Sequence, residues 1–316
     1  MKTRSLVSGT AALALSALLF TSCSNEDDPV PAISSQYVTI APSVSGEVIT
    51  RAGSAYGENG DKLYLYYNTA GSTTANQFAD FHYDGTIWDL GTTKMKWSDL
   101  HSAAASNPTL PFYATAPVKA PATATKVSVE TDQSSTAGYK NSDLLVAYKE
   151  IAKAGDATKY TALDIDMKHV LAKLTIEVNA KAIDGATINS VTIKGAVPDY
   201  TVTYSKSEDI PATTKAVDGN ITDIKPQVNG TIYSVVLPEQ AIKKTDGITI
   251  VISVNDSNDS KTFTYQPTEA INLQQGKNTT LKLRLSGEGV ALGDVTVSEW
   301  GKGDTTQGNI EEDPQP

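Results

Sequence analysis

The chain has 316 residues, with 26 Lys or Arg against 36 Asp or Glu and a formal charge of −10. That balance argues against a nucleic-acid partner, which needs a positive groove to meet phosphates, and suits a solvated extracellular surface. With a single cysteine there is no internal disulfide, so packing and backbone pairing must hold one large core or two of ordinary size.

The chain opens with a short basic region, Lys2 and Arg4, followed by an almost uninterrupted apolar run from Val7 to Phe20. This is the layout of a secretory signal, and the run is too short for a span of roughly 20 residues. Leu19-Phe20-Thr21-Ser22-Cys23 resembles the box that ends a bacterial lipoprotein signal, whose cysteine becomes the lipidated first residue. The alternative is an ordinary secretory signal with an incidental cysteine. Lipidation of Cys23 explains better why the one thiol stands where signal ends and soluble chain begins. Glu26, Asp27 and Asp28 then resemble an export signal for the outside of a Bacteroidota outer membrane, and serve equally as a solvated tether. Removing residues 1–22, which carry Lys2, Arg4 and no acids, leaves 294 residues with 24 basic and 36 acidic side chains.

Next comes QYVTIAPSVSGEVI, residues 36–49. It places Val38, Ile40, Pro42, Val44 and Val48 on one parity and Thr39, Ala41, Ser43, Ser45 and Glu47 on the other. Pro42 donates no ladder hydrogen bond and Gly46 has no side chain, so this reads as an edge strand or two short ones. Such a strand can close an open sheet edge and be withdrawn later. Arg51 follows, ahead of the small, flexible Ala52-Gly53-Ser54-Ala55, where a protease could act.

The rest is strand-like. Lys62–Tyr67, Thr175–Val178, Ile248–Ile252 and Leu281–Leu285 alternate apolar and polar positions, so each buries one face and wets the other. Asn229-Gly230 and Asp246-Gly247 predict hairpins. Trp97–Ala105 and Glu239–Lys244 are the best helical candidates, a few turns at most. The aromatic-rich first half carries Tyr64, Tyr66, Tyr67, Phe78, Phe81, Tyr83, Trp88 and Trp97. They are expected to fill a sandwich core, with a surface for stacking on sugar or protein as the alternative.

A boundary is expected near residue 160, after the polar EIAKAGDATKY of residues 150–160, which could equally be a long surface loop inside one domain. In ALDIDMKHVLAKLTIEV, Leu163, Ile165, Met167, His169 and Leu171 share one parity and Ala172, Leu174, Ile176 and Val178 the other, predicting a bulge or kink near Leu171 and Ala172. His169 then reads as a partly buried, hydrogen-bonded strand residue. Further on, Val290, Leu292, Val295, Val297 and Trp300 are the last apolar groups, with a parity change at Gly293-Asp294. They form either a donor strand for another subunit or the final strand of their own sheet. No metal-ligand spacing, nucleophile elbow or phosphate loop occurs in the sequence, so no enzyme, metal or cofactor is expected.

Taken in order, several pieces resemble the Bacteroidales fimbrillin family of pilin subunits and related surface lipoproteins, over essentially the whole chain. They are the cysteine box, Thr50-Arg51-Ala52, Gly60-Asp61, the Leu110–Pro117 segment LPFYATAP, Asp143–Ala147, His169–Leu174 and Val295–Trp300. The resemblance implies an all-β fold of two β-sandwich-like domains, the second transthyretin-like. Its divisions would be a signal at 1–22, a lipidated propeptide with the removable strand at 23–51, domains at 52–160 and 161–300, and an acidic tail at 301–316. It implies cleavage after Arg51, leaving a chain that starts at Ala52, and polymerisation by donor-strand exchange into a surface fimbria supporting adhesion. Partners would be other fimbrial subunits, the outer membrane through the lipid on Cys23, and a host glycan or protein. The alternative is a non-polymerising surface lipoprotein or tip adhesin binding glycan or host protein.

Overall fold

The computed structural model describes residues 36–44, 47–48, 58–67, 77–104, 106–120, 126–217, 219–245, 247–255 and 260–300. Cys23, Glu26–Asp28, Arg51, Ala52 and the 301–316 tail lie outside them.

The first nine strands are β1 (Ile40–Val44), β2 (Glu47–Val48), β3 (Lys62–Tyr67), β4 (Gln77–Tyr83), β5 (Trp88–Leu90), β6 (Thr109–Ala116), β7 (Val127–Ser128), β8 (Leu145–Ala152) and β9 (Leu163–His169). Then follow β10 (Ala172–Asn179), β11 (Thr187–Ala196), β12 (Asp199–Tyr204), β13 (Ala212–Ala216), β14 (Thr222–Ile224), β15 (Gln227–Asn229) and β16 (Ile232–Leu237). The last are β17 (Gln240–Ile242), β18 (Thr249–Asn255), β19 (Ser260–Tyr265), β20 (Ile271–Leu273), β21 (Lys277–Ser286) and β22 (Gly289–Glu299). Two short helices, α1 (Trp97–Ala103) and α2 (Thr136–Ser142), interrupt them. The fold is all-β and sandwich-like, as expected.

One sheet has the order β2-β1-β9-β8-β6-β3-β4-β5. Its core follows from strand alternation: Leu63, Leu65 and Tyr67 of β3 meet Leu110, Phe112 and Ala114 of β6 in one buried cluster. Helix α1 contributes Trp97 and Leu100 to that cluster, and Trp97 stacks on Tyr160 with ring centroids 4.3 Å apart. A second cluster lies between the sheets β15-β16-β10-β21-β22 and β14-β11-β18-β19. Leu174, Ile176, Leu281 and Leu283 from one sheet share it with Ile193, Ile250 and Ile252 from the other. This is the face-to-face burial of a sandwich.

The parity change around residue 171 has a different origin from the expected bulge. The strand stops at His169 and restarts at Ala172 in another sheet, so Leu163, Ile165 and Met167 enter the first cluster and Leu174, Ile176 and Val178 the second. Val170 and Leu171, both buried, make the passage; the Val170 N–H donates to Leu144 O, and Leu171 O accepts from Gly276 N–H.

The predicted strands at 62–67, 175–178, 248–252 and 281–285 fall within β3, β10, β18 and β21. Helix α1 matches its candidate, whereas Glu239–Lys244 contains β17, which pairs with β20. Helix α2 was not anticipated. The Ser135 hydroxyl caps its start by accepting from Gly138 N–H at 3.0 Å, and a Cβ on Gly138 would stand 2.2 Å from Asp132 O, so only glycine fits. Asn229-Gly230 does form a tight turn, with Asn229 opposite Ile232 and Gly230 at φ +60°. Asp246 of the second pair lies outside the described residues; β17 and β18 on either side of it belong to different sheets. The stretch from Glu150 begins as strand, since β8 runs to Ala152.

Candidate functional site

The site is the seat of residues 36–44. Strand β1 runs parallel to β9, with Ile40 opposite Leu163 and Val44 opposite Met167. On its other side β2 covers only Ser43 and Val44. Val38 is fully buried, Ile40 and Pro42 are buried, and Val44 packs partly buried against the first core; Thr39 and Ala41 point the other way. Burial of Val38 and Ile40 is worth about 1.5–3 kcal/mol each. Glu47–Val48 forms β2, giving the two short strands expected around Gly46.

Upstream of β1 the backbone is held by the loop that leads into α1. The Val38 N–H donates to Met95 O at 2.9 Å, the Trp97 N–H donates to Gln36 O at 3.2 Å, and the Leu163 N–H donates to Thr39 O at 2.8 Å. The segment therefore threads between two elements and satisfies backbone groups on both. Lys94 and Lys96 lie over the Tyr37 ring, 5.4 and 5.8 Å from its centroid.

Sequence reasoning missed what shapes that loop. Asp80 Oδ1 accepts the Thr93 N–H at 2.5 Å and Oδ2 the Thr92 N–H at 3.2 Å, while the Asp80 N–H donates to Thr93 O. His82 Nε2 stands 3.4 Å from Oδ2. Burial by itself would raise the Asp80 carboxyl, but the N–H groups of Thr93 and Thr92 and the His82 ring hold it below its ordinary value. A Cβ on Gly91 would stand 2.2 Å from Asp80 Oδ2, so the loop closes on the carboxylate only with glycine there. Nothing in the alternation of β4 marks Asp80 as a clasp, because its partners come from a loop.

The C-terminal apolar residues lie on and just past β22. This strand pairs antiparallel with β21 from Gly289 to Glu299, and the register slips where Gly293 is extra, at the expected parity change. Val290 and Val295 pack against the second core, while Leu292 and Val297 are 40% and 53% exposed. Trp300 is buried. Its ring stacks on His169 at 4.0 Å, its N–H donates to Gly276 O, and His169 Nδ1 lies 2.9 Å from Asp143 Oδ1. His169 is thus the partly buried, hydrogen-bonded strand residue expected. Three of the quoted motifs meet here, although each is weak alone.

The aromatics of the first half are mostly interior: Tyr66, Tyr67, Phe81, Tyr83 and Trp97 are buried, and Tyr64, Phe78 and Trp88 half-buried. Among the described residues no group of three or more His, Cys, Asp or Glu could hold a metal ion, and no helix is long and apolar enough to cross a membrane.

Comparison with known proteins decides the family. The model of the family described as fimbrillin-like matches residues 50–300. The chain belongs to the fimbrillin-like family. No curated protein matches it. Among solved structures, this fimbrillin-like chain is similar to a candidate cell adhesion protein from Bacteroides uniformis, with 15% identity and a TM-score of 0.58 over 84% of this chain and 99% of that one. It is likewise similar to a candidate cell adhesion protein from Bacteroides ovatus, with 13% identity and a TM-score of 0.56 over 84% of this chain and 97% of that one. Identities this low speak for the fold alone. The family match begins two residues past β2, so the strand that fills the seat lies outside it.

Proposed function

We propose that this fimbrillin-like protein is a structural subunit of a cell-surface fimbria, exported as a lipoprotein on Cys23, cleaved after Arg51 and polymerised by donor-strand exchange. The observation that carries this reading is the seat of β1. Its apolar residues Val38, Ile40 and Val44 fill the first core from a strand near the sheet edge, and only a short hairpin covers it. Withdrawal of residues 36–48 would leave the facing side of β9 and the carbonyl of Met95 without partners. A strand from another subunit repairs such an edge by supplying both apolar groups and a backbone ladder. The reading includes two β domains, with the change of sheet at Val170–Leu171 supporting a join in this part of the chain. It also retains Val290–Trp300 as the donor, other subunits and the outer membrane as partners, and a host glycan or protein as adhesion ligand.

N-terminal sequencing of surface filaments tests the maturation step. Chains beginning at Ala52 are expected. Recovery of only lipidated chains beginning at Cys23 would remove cleavage, and strand exchange with it.

A second reading, a non-polymerising surface lipoprotein or tip adhesin, draws support from β22. That strand is already paired along its whole length within its own sheet, and Trp300 is locked on His169. Cysteine pairs separate the two readings: one at Val295 and one at Ile165 beside the β1 seat, with Cys23 kept, since its thiol is lipidated and leaves with the propeptide. Covalent multimers appearing only after cleavage support exchange through Val290–Trp300; filaments with no such bridges assign the donor elsewhere.

A further inference from the structure

Gly60-Asp61, one of the quoted motifs, leads into β3 and carries a carboxylate into a buried ion pair. Asp61 Oδ1 lies 2.5 Å from Lys140 Nζ, with only 9% and 12% of the two side chains exposed. By contrast, the pairs Lys126–Asp199, Lys149–Glu208, Lys168–Asp166 and Lys277–Glu299 each leave at least one partner 30% exposed or more. Two charges taken out of water lose their hydration, and their mutual attraction offsets that loss only where further bonds help.

Both partners are held by their backbones. The Asp61 N–H donates to Glu58 O at 3.0 Å, the Tyr83 N–H to Asp61 O at 2.9 Å, and the Gly60 N–H to Tyr83 O at 2.8 Å. Lys140 sits in the last turn of α2, whose start is capped by Ser135 and whose Tyr139 enters the second cluster. Around the pair stand two further groups of Glu58. Its N–H donates to Asp61 Oδ2 at 2.9 Å, and its carboxylate Oε2 lies 3.5 Å from Lys140 Nζ while remaining 67% exposed. An amine, a carboxyl group, a donor on the second carboxyl oxygen and a carboxylate that reaches solvent are thus collected at one point.

We propose that Lys140 and Asp61 condense into an isopeptide cross-link, formed by the folded chain itself with Glu58 as proton carrier. A proton first passes from the ammonium to Asp61 Oδ1 across their contact, a transfer that leaves no charge on the buried pair. The neutral amine then attacks Asp61 Cγ, forming the N–C bond, and the charge that develops on Oδ2 is met by the Glu58 N–H. The Glu58 carboxylate takes a proton from the nitrogen and gives it to Oδ1; the Cγ–Oδ1 bond breaks and one water leaves. No oxidant, metal or cofactor is consumed. Fixed proximity supplies what the same condensation lacks in water. The bond joins the entry to β3, a strand of the first cluster, to a helix packed on the second, and constrains the unfolded chain as a disulfide would in a protein with one cysteine. Both residues follow Arg51, so the cross-link needs neither cleavage nor polymerisation and stands apart from strand exchange.

Tryptic digestion of the folded full chain, followed by mass spectrometry, tests this directly. An amide on Lys140 blocks cleavage after it, so a branched peptide joining residues 52–62 to residues 127–149 is expected, lighter by one water than the two together. Lys140→Arg keeps the charge but not the nucleophile, and should yield linear peptides only, with a lower melting temperature. Glu58→Gln keeps the backbone N–H but carries no proton, and should cut the branched fraction by about tenfold or more in chains of equal age. Linear peptides 52–62 and 127–140 as the only products of the parent chain would leave an ordinary ion pair and overturn the proposal. So would a branched peptide retained in Lys140→Arg, or a branched fraction indifferent to Glu58→Gln.

Discussion

At the scale of single residues, the fold relies on side chains that stand in for missing backbone partners. The Gln133 amide accepts the Val236 N–H at 2.8 Å and donates to Val236 O at 2.9 Å, taking over the edge of β16 where β15 has ended. Gln240 does the same for both groups of Val197, and Gln275 joins Thr214 N–H to Ala212 O. Gln133 is fully buried, so Gln133→Leu leaves two buried backbone groups without partners. Equilibrium unfolding in denaturant is expected to register a loss of about 1–3 kcal/mol per orphaned group. Asp80 works in the same way on the loop that seats residues 36–38. Asp80→Ala should raise amide exchange at Thr92, Thr93 and Val38 in the full chain; exchange unchanged at Val38 would separate the clasp from the seat. None of this was legible in the sequence, because a glutamine or aspartate that serves a distant backbone looks like any polar residue.

At the scale of elements, alternation was a good guide where a strand has one wet face, and it placed β3, β10, β18 and β21. It also separated the two faces of residues 38–44, with Val38, Ile40 and Pro42 inward. Val38→Asp would bury an unpaired carboxylate in that site. The full chain is expected to lose several degrees of melting temperature, whereas correctly cleaved subunits, which no longer contain residue 38, should match the parent. Equal loss in both would contradict the separation of a removable strand from the mature fold. At the other end, Trp300→Ala removes a buried ring stacked on His169 and should cost about 3–5 kcal/mol, measurable by chemical denaturation. Alternation failed at residue 171 because it describes only one sheet: a chain that leaves one sheet and enters another changes parity without any bulge.

For the whole molecule, acid should be the sensitive direction. The Lys126 ammonium and Ser128 hydroxyl hold the Asp199 carboxyl below its ordinary range, the Thr109 and Tyr148 hydroxyls lower Glu150, and the clasped loop lowers Asp80. Groups depressed in the folded state stabilise it above their unfolded values and release that stability as protons bind on the way down through the folded ones. Stability is therefore expected to be level through neutral pH and to fall below about pH 4, where unfolded carboxyls begin to protonate. Thermal unfolding followed across that range checks it; a maximum below pH 4 would contradict the sign.

The sequence by itself determined the strand content, the inward parity of residues 38–44, the strand role of His169 and the fimbrillin resemblance, because each depends on residue type and spacing along one stretch. Tertiary structure decided what spacing cannot encode. It made β1 a parallel neighbour of β9, sent the chain to a second sheet at Val170, and brought Asp143, His169 and Trp300 together. Those outcomes depend on which strands become neighbours, and backbone pairing is indifferent to side-chain identity until two cores compete to bury the same apolar faces.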